Sequence, residues 1–134
     1  MRYLIAVLAA AGIVVSALAL HVHYSNAVQP CDINAHWDCG IVNHSRYSMF
    51  HGIPVALIGI VGYACIALAG LARLRWLTLI LAFIALGYAL YLSNIEAHVL
   101  EVWCLYCVIS QTLIALIALL ALAALVFRPR PKTA

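Results

Sequence analysis

Four stretches of this chain contain no charged residue: Tyr3 to Leu20, Ile53 to Leu71, Trp76 to Leu92 and Leu105 to Phe127. A helix crossing the hydrocarbon core of a bilayer needs about 20 mostly apolar residues, at about 1.5 Å of rise each. Three of the runs meet that length, and the third, the shortest, does so by borrowing from its flanks. In lipid every backbone N–H and C=O must be satisfied internally, which leaves helices or a closed barrel. Strands alternating apolar and polar residues are absent, so the barrel falls away. The sequence therefore predicts an all-α membrane protein, a four-transmembrane-helix bundle. Composition agrees: of 134 residues, 68% are hydrophobic and 8% charged, where a soluble domain carries roughly 25% charge. A chain of this length is expected to form a single membrane domain over 1–134.

The basic residues set an orientation. If the four helices cross in turn, Arg2, Arg73, Arg75, Arg128, Arg130 and Lys132 fall on one side and only Arg46 on the other. By the positive-inside bias both termini are then cytoplasmic, and Asp32, Asp38, Glu96 and Glu101 face outward. The cations gather at helix ends, so they offer a membrane anchor and no nucleic-acid surface. Met1-Arg2, an apolar run and Ser25-Asn26-Ala27 also resemble a cleavable signal peptide. The apolar run is longer than the roughly 7–15 residues of such a segment, so a retained helix is expected. The outward segment 21–52 holds two cysteines and five of the six histidines. Within it, Asn43 to Phe50 suits a short interfacial helix, and Pro54 suits the first turn of the helix that follows. A second outward loop, 93–103, delivers the chain to the last helix. Gly59 and Gly62, with Ala56, read as positions of close helix packing.

Five cysteines are present: Cys31, Cys39, Cys65, Cys104 and Cys107. Cys65 lies deep in the second helix and reads as a small buried packing residue. The other four share the outward face, where thiols are free to form disulfides, and four cysteines permit three pairings. Two static staples are one solution. Against it stands the C-x-x-C spacing of Cys104 and Cys107, whose small ring suits exchange better than loop closure. The start of a helix also favours the thiolate, the reactive form, and residues three apart on a helix project from one side. Zinc is the chemical rival, yet Cys31 and Cys39 are spaced more widely than paired zinc ligands usually are. Haem fits worse, because the histidines lie in or beside the outward loops; no metal site is expected.

With all four sulfurs at one surface, thiol exchange alone carries no electrons to the cytosol. Their partner must lie in the outer compartment or be dissolved in the bilayer. A disulfide takes up two electrons and two protons on becoming a dithiol, and a quinone takes up the same on becoming a quinol. A dithiol at the membrane surface is where the two would meet.

"CDINAHWDC" followed by "SRY", then "HGIPVALIGIVGY", then "WCLYC" on the last helix, resemble the vitamin K epoxide reductase (VKOR) family. The resemblance covers nearly the whole chain in order, including the seven residues between the loop cysteines. In the functionally similar DsbB family the C-x-x-C lies in the first outward loop, so this chain is of another type. The resemblance implies a relay. Cys31 would accept electrons from a thioredoxin-fold (DsbA-like) protein, Cys39 would exchange with Cys104, and Cys107 would reduce a membrane quinone (menaquinone, ubiquinone or vitamin K). Ser45 matches a loop serine near the family's active site. Gln111 stands where vertebrate members carry a ligand-binding tyrosine, and Ser48 is the counterpart offered for their loop asparagine. Many prokaryotic members carry a fused thioredoxin-like domain; none is found here, so a separate partner is expected, and the short outward loop with no lysine-rich retention tail points to a prokaryotic-type member in a cell membrane.

Three functions follow from this reading. The first is a quinone-dependent oxidase that recharges an exported thioredoxin-fold oxidant. The second has the same fold but serves to reduce vitamin K epoxide or quinone. The third is a membrane subunit or transporter with structural disulfides. A transporter would be expected to hold an ionisable residue within a helix, and none of the four predicted spans has one.

Overall fold

The computed structural model describes residues 2–24, 49–50, 52–100, 103 and 105–127. Four α-helices dominate it: α1 (Arg2–Tyr24), α2 (Val55–Leu71), α3 (Arg75–Ile95) and α4 (Leu105–Val126). A π-helical turn, Glu96–Leu100, continues directly from α3. Three stretches are long and apolar enough to cross a membrane, Tyr3–Val22, Arg75–Val99 and Leu105–Val126, while α2 is a shorter apolar helix of 17 residues. The surface is the inverse of a soluble protein's. Leu68, Trp76, Ile84, Leu119 and Phe127 all point outward and are well exposed, a surface that only lipid covers without cost.

The helices form a ring of neighbours. α1 packs against α2 and α4, α3 against α4, and α2 closes the ring against α3. The core between them comprises Ile5, Ala9, Tyr63, Ile66, Ala82, Ile114, Ile117 and Ala118. α1 and α2 run antiparallel at close range, because small residues alternate with larger ones along the seam. A Cβ on Gly12 would stand 2.4 Å from the Tyr63 ring, one on Gly59 2.9 Å from Ser16 Oγ, and one on Gly70 3.2 Å from Ile5 Cγ2. Gly59 thus packs as its sequence suggests, but Gly62 does not: nothing lies within 4 Å of the Cβ it lacks. Gly12 and Gly70 take the role instead.

Two tight turns order the ends. Met49–Phe50 (β1) pairs antiparallel with Ile53–Pro54 (β2), and Gly52 adopts φ 83° between them, a backbone shape that glycine takes without steric cost. The interfacial helix expected over Asn43 to Phe50 is therefore corrected at its last two residues, which are strand; 43–48 lie outside the described residues. Pro54 ends β2 and caps α2 rather than entering its first turn. At the other end, α2 stops in a Schellman motif. The Leu74 N–H donates to the Ala69 carbonyl (3.0 Å) and the Arg73 N–H to the Gly70 carbonyl (3.2 Å), with Arg73 left-handed at φ 61°. This reverses the chain into α3 within three residues, 72–74.

The third helix differs most from its sequence reading. Its apolar run ends at Leu92, and a polar loop was expected from Ser93. Instead the helix runs on through Ser93, Asn94 and Ile95, and the π turn carries it to Leu100. Ser93 tolerates this because its hydroxyl finds a partner on α4, described below.

Candidate active site

Cys107 occupies the first turn of α4, half-buried at one end of the bundle. The helix period places Cys107, Ser110 and Gln111 on one side of α4, since residues three and four apart are neighbours on a helix face. Each of the two polar residues beyond the cysteine is tied to a different helix. Ser93 Oγ of α3 donates to Gln111 Oε1. With the amide oxygen so engaged, the Gln111 NH2 group is left as a donor to something other than Ser93.

The second tie crosses the bundle. Tyr63 of α2 reaches over to α4, where its hydroxyl donates to the Ser110 carbonyl at 2.8 Å and lies 2.8 Å from Ser110 Oγ. A phenol has one proton, so with that proton on the carbonyl the serine hydroxyl donates back to the tyrosine oxygen. The ring is held from behind by Gly12 of α1, whose missing side chain makes the room. Three helices thus converge on the two residues that follow Cys107 by one turn, which fixes this face of α4.

The structure brings together two of the residues singled out from the sequence, Cys107 and Gln111. Cys31, Cys39, Cys104, Ser45 and Ser48 lie outside the described residues. Cys65 is corrected: it lies on the exposed outer face of α2 rather than packed in the core. Tyr63, Ser93 and Ser110 were not singled out. A phenol in the middle of an apolar run was the available signal, because a buried tyrosine hydroxyl seeks a partner. Among the described residues no group of three or more His, Cys, Asp or Glu side chains gathers as a metal site would.

A cleft of about 540 Å³ lies at the opposite end of the bundle, lined by Arg73, Leu74, Arg75, Trp76, Leu77 and Leu125. It holds no nucleophile and no proton-exchanging group at neutral pH.

Fold and site together define a class, a helical membrane protein that carries a C-x-x-C thiol beside a tethered carboxamide at one end of its bundle. Compared with family models, the chain matches the vitamin K epoxide reductase family over residues 3–122. It belongs to that family and so is a membrane oxidoreductase linked to disulfide and quinone chemistry. No curated protein matches the chain.

Proposed function

We propose that this protein is a quinone-dependent thiol–disulfide oxidoreductase that re-oxidises an exported thioredoxin-fold partner. In this reading four helices cross the membrane, with both termini cytoplasmic and the Cys107 end facing out. The whole of 1–134 acts as one domain. The partner's dithiol attacks the loop pair at Cys31, and Cys39 passes the electrons to the Cys104/Cys107 disulfide. The C-x-x-C dithiol then gives two electrons and two protons to a quinone, which leaves as quinol. Ser45, Ser48 and Gln111 contact the quinone, with the Gln111 NH2 group donating to one of its oxygens.

The observation that supports this reading is the arrangement on α4. Cys107 and Gln111 stand one turn apart on one side of the helix, and Ser93 engages the amide oxygen while leaving its donor end for a ligand. An electrophilic ring with carbonyl acceptors suits that pairing. The direction of flow requires the quinone to lie above the partner in potential, and about 30 mV of difference is worth roughly 1.4 kcal/mol for a two-electron couple.

Purified protein, a reduced thioredoxin-fold partner and a membrane quinone supply the test, with quinol formation as the readout. Cys107→Ala is expected to abolish quinol formation while Cys31 still traps the partner as a mixed disulfide. Continued turnover by that variant would overturn the assignment of roles.

A further inference from the structure

The end of α3 carries a group for which the proposed relay has no use. Glu96 is only 2% exposed, yet it lies within Arg75–Val99, a stretch apolar enough to cross a membrane. A carboxyl in such a place is costly to bury, and an ionisable residue there marks function more often than packing. It stands where the backbone changes from α to π, a change frequent at functional sites. The helix extends beyond Leu92, where the predicted span ends, and takes Glu96 with it.

The register shows what Glu96 stands beside. Ser93, near the end of α3, touches Gln111, near the start of α4, so the two helices run antiparallel at this point. From that contact, three residues onward along α3 leads to Glu96. Four residues back along α4 leads to Cys107. Both steps are about one turn in the same direction, and both keep to the side of the helix that bears the contact. Glu96 and Cys107 therefore stand level with each other on neighbouring helices, each one turn beyond the Ser93–Gln111 tie.

From this juxtaposition we infer that Glu96 is the proton-exchanging group of the Cys107–quinone step. The inference rests on the proposed function and deepens it. Oxidising the dithiol joins the Cys104 and Cys107 sulfurs, releases two protons and passes two electrons to the quinone, whose two oxygens each take up a proton. The Glu96 carboxylate accepts the Cys107 proton as that sulfur becomes a nucleophile, then gives it to a quinone oxygen and returns to its starting form. The Cys104 thiol supplies the second proton. Ser93, Ser110 and Gln111 donate hydrogen bonds but do not exchange protons at neutral pH. Tyr63 is tied to Ser110, and His98 is exposed.

The experiment compares wild type, Glu96→Gln and Glu96→Asp, with a quinone as acceptor and a reduced thioredoxin-fold protein as donor. Glu96→Gln is expected to lower kcat by about 100-fold, the scale of general acid–base catalysis, with the quinone KM within about threefold. Glu96→Asp is expected to recover about tenfold of the loss, and mixed-disulfide trapping at Cys31 is expected to persist in both. A kcat within about threefold of wild type in Glu96→Gln would overturn the inference, since uniform binding alone is then at stake. A second arm needs no quinone. The infrared difference spectrum between dithiothreitol-reduced and oxidised wild type is expected to show a carboxylate stretching band, shifted as the neighbouring thiol becomes a disulfide, that moves in Glu96→Asp and vanishes in Glu96→Gln. A wild-type spectrum with no carboxylate band that depends on Glu96 overturns the role of Glu96, whereas a wild type that makes no quinol overturns the functional reading and leaves the infrared arm to decide Glu96.

Discussion

Inside an apolar bundle a tyrosine hydroxyl has no water to fall back on, and Tyr63 solves the problem by reaching across to α4. Its two 2.8 Å contacts with Ser110 satisfy both oxygens and hold the turn that follows Cys107. Removing the hydroxyl in Tyr63→Phe leaves Ser110 free to bond back to its own helix, as serines in helices do. The expected loss is therefore modest, about 1 kcal/mol, measured by unfolding in detergent. Ser110→Ala is expected to cost less, because the Tyr63 bond to the carbonyl of residue 110 survives it, and the double variant less than the sum, because both single variants remove the same hydroxyl–hydroxyl contact. Additive losses would mean that the pair is not coupled. At this scale the sequence showed chemistry but not partnership. Cys107 stood out by its C-x-x-C spacing, and Gln111 only by the family resemblance. Tyr63 and Ser93 were not, since their partners depend on which helices meet. Glu96 was visible as an acid and misplaced as a loop residue, because Ser93-Asn94 looks like the end of an apolar run. One hydrogen bond to Gln111 lets the helix continue through it.

Between elements, the α1–α2 seam depends on glycine at chosen points. Moving seven and then four residues along α1, from Ile5 to Gly12 to Ser16, moves seven and four back along α2, from Gly70 to Tyr63 to Gly59. That spacing is a steady antiparallel register with the small residue alternating between helices. Gly12→Ala would drive a methyl to within 2.4–2.5 Å of three Tyr63 ring atoms. Neither the ring, tied at its hydroxyl, nor the helix backbone yields cheaply. Overpacking of this kind costs about 1–3 kcal/mol, and it is expected to weaken the Tyr63–Ser110 tie as well. Gly62→Ala meets nothing within 4 Å and replaces glycine inside a helix, so it is expected to be neutral or to stabilise by up to about 1 kcal/mol. Thermal unfolding of the two variants side by side checks the contrast. The four helices were legible from their charge-free runs, but the packing faces were not. A helix apolar all round has no polar side to point away from its neighbours, so the periodicity that reveals a core face in soluble proteins is missing.

For the molecule as a whole, the relay demands that the Cys107 end and the loop cysteines share one side of the membrane. The helices fix only half of this, because packing is indifferent to which end is inside. In the proposed orientation charge supplies the other half: Arg73 within the α2–α3 turn and Arg75 just after it lie at the end of the bundle opposite Cys107, and Arg2, Arg128, Arg130 and Lys132 are placed in sequence to join them. The short α2 must also span. Its 17 residues reach about 25 Å at 1.5 Å each, a few Å short of a typical hydrocarbon core, and such a mismatch costs only fractions of a kcal/mol per Å. The flanking hairpin at Ile53–Pro54 and the exposed Leu74 and Trp76 extend its apolar length at both ends. A variant without native cysteines, given a single one by Met49→Cys or Leu74→Cys, tests the arrangement in intact cells with an impermeant maleimide. Both positions are exposed. Met49→Cys is expected to label from outside, and Leu74→Cys only after the membrane is opened. The opposite pattern would put the Cys107 end in the cytosol, out of reach of any exported partner. Labelling of both from outside would mean that α2 does not cross, which would part the hairpin end from the end of the bundle that bears Cys107.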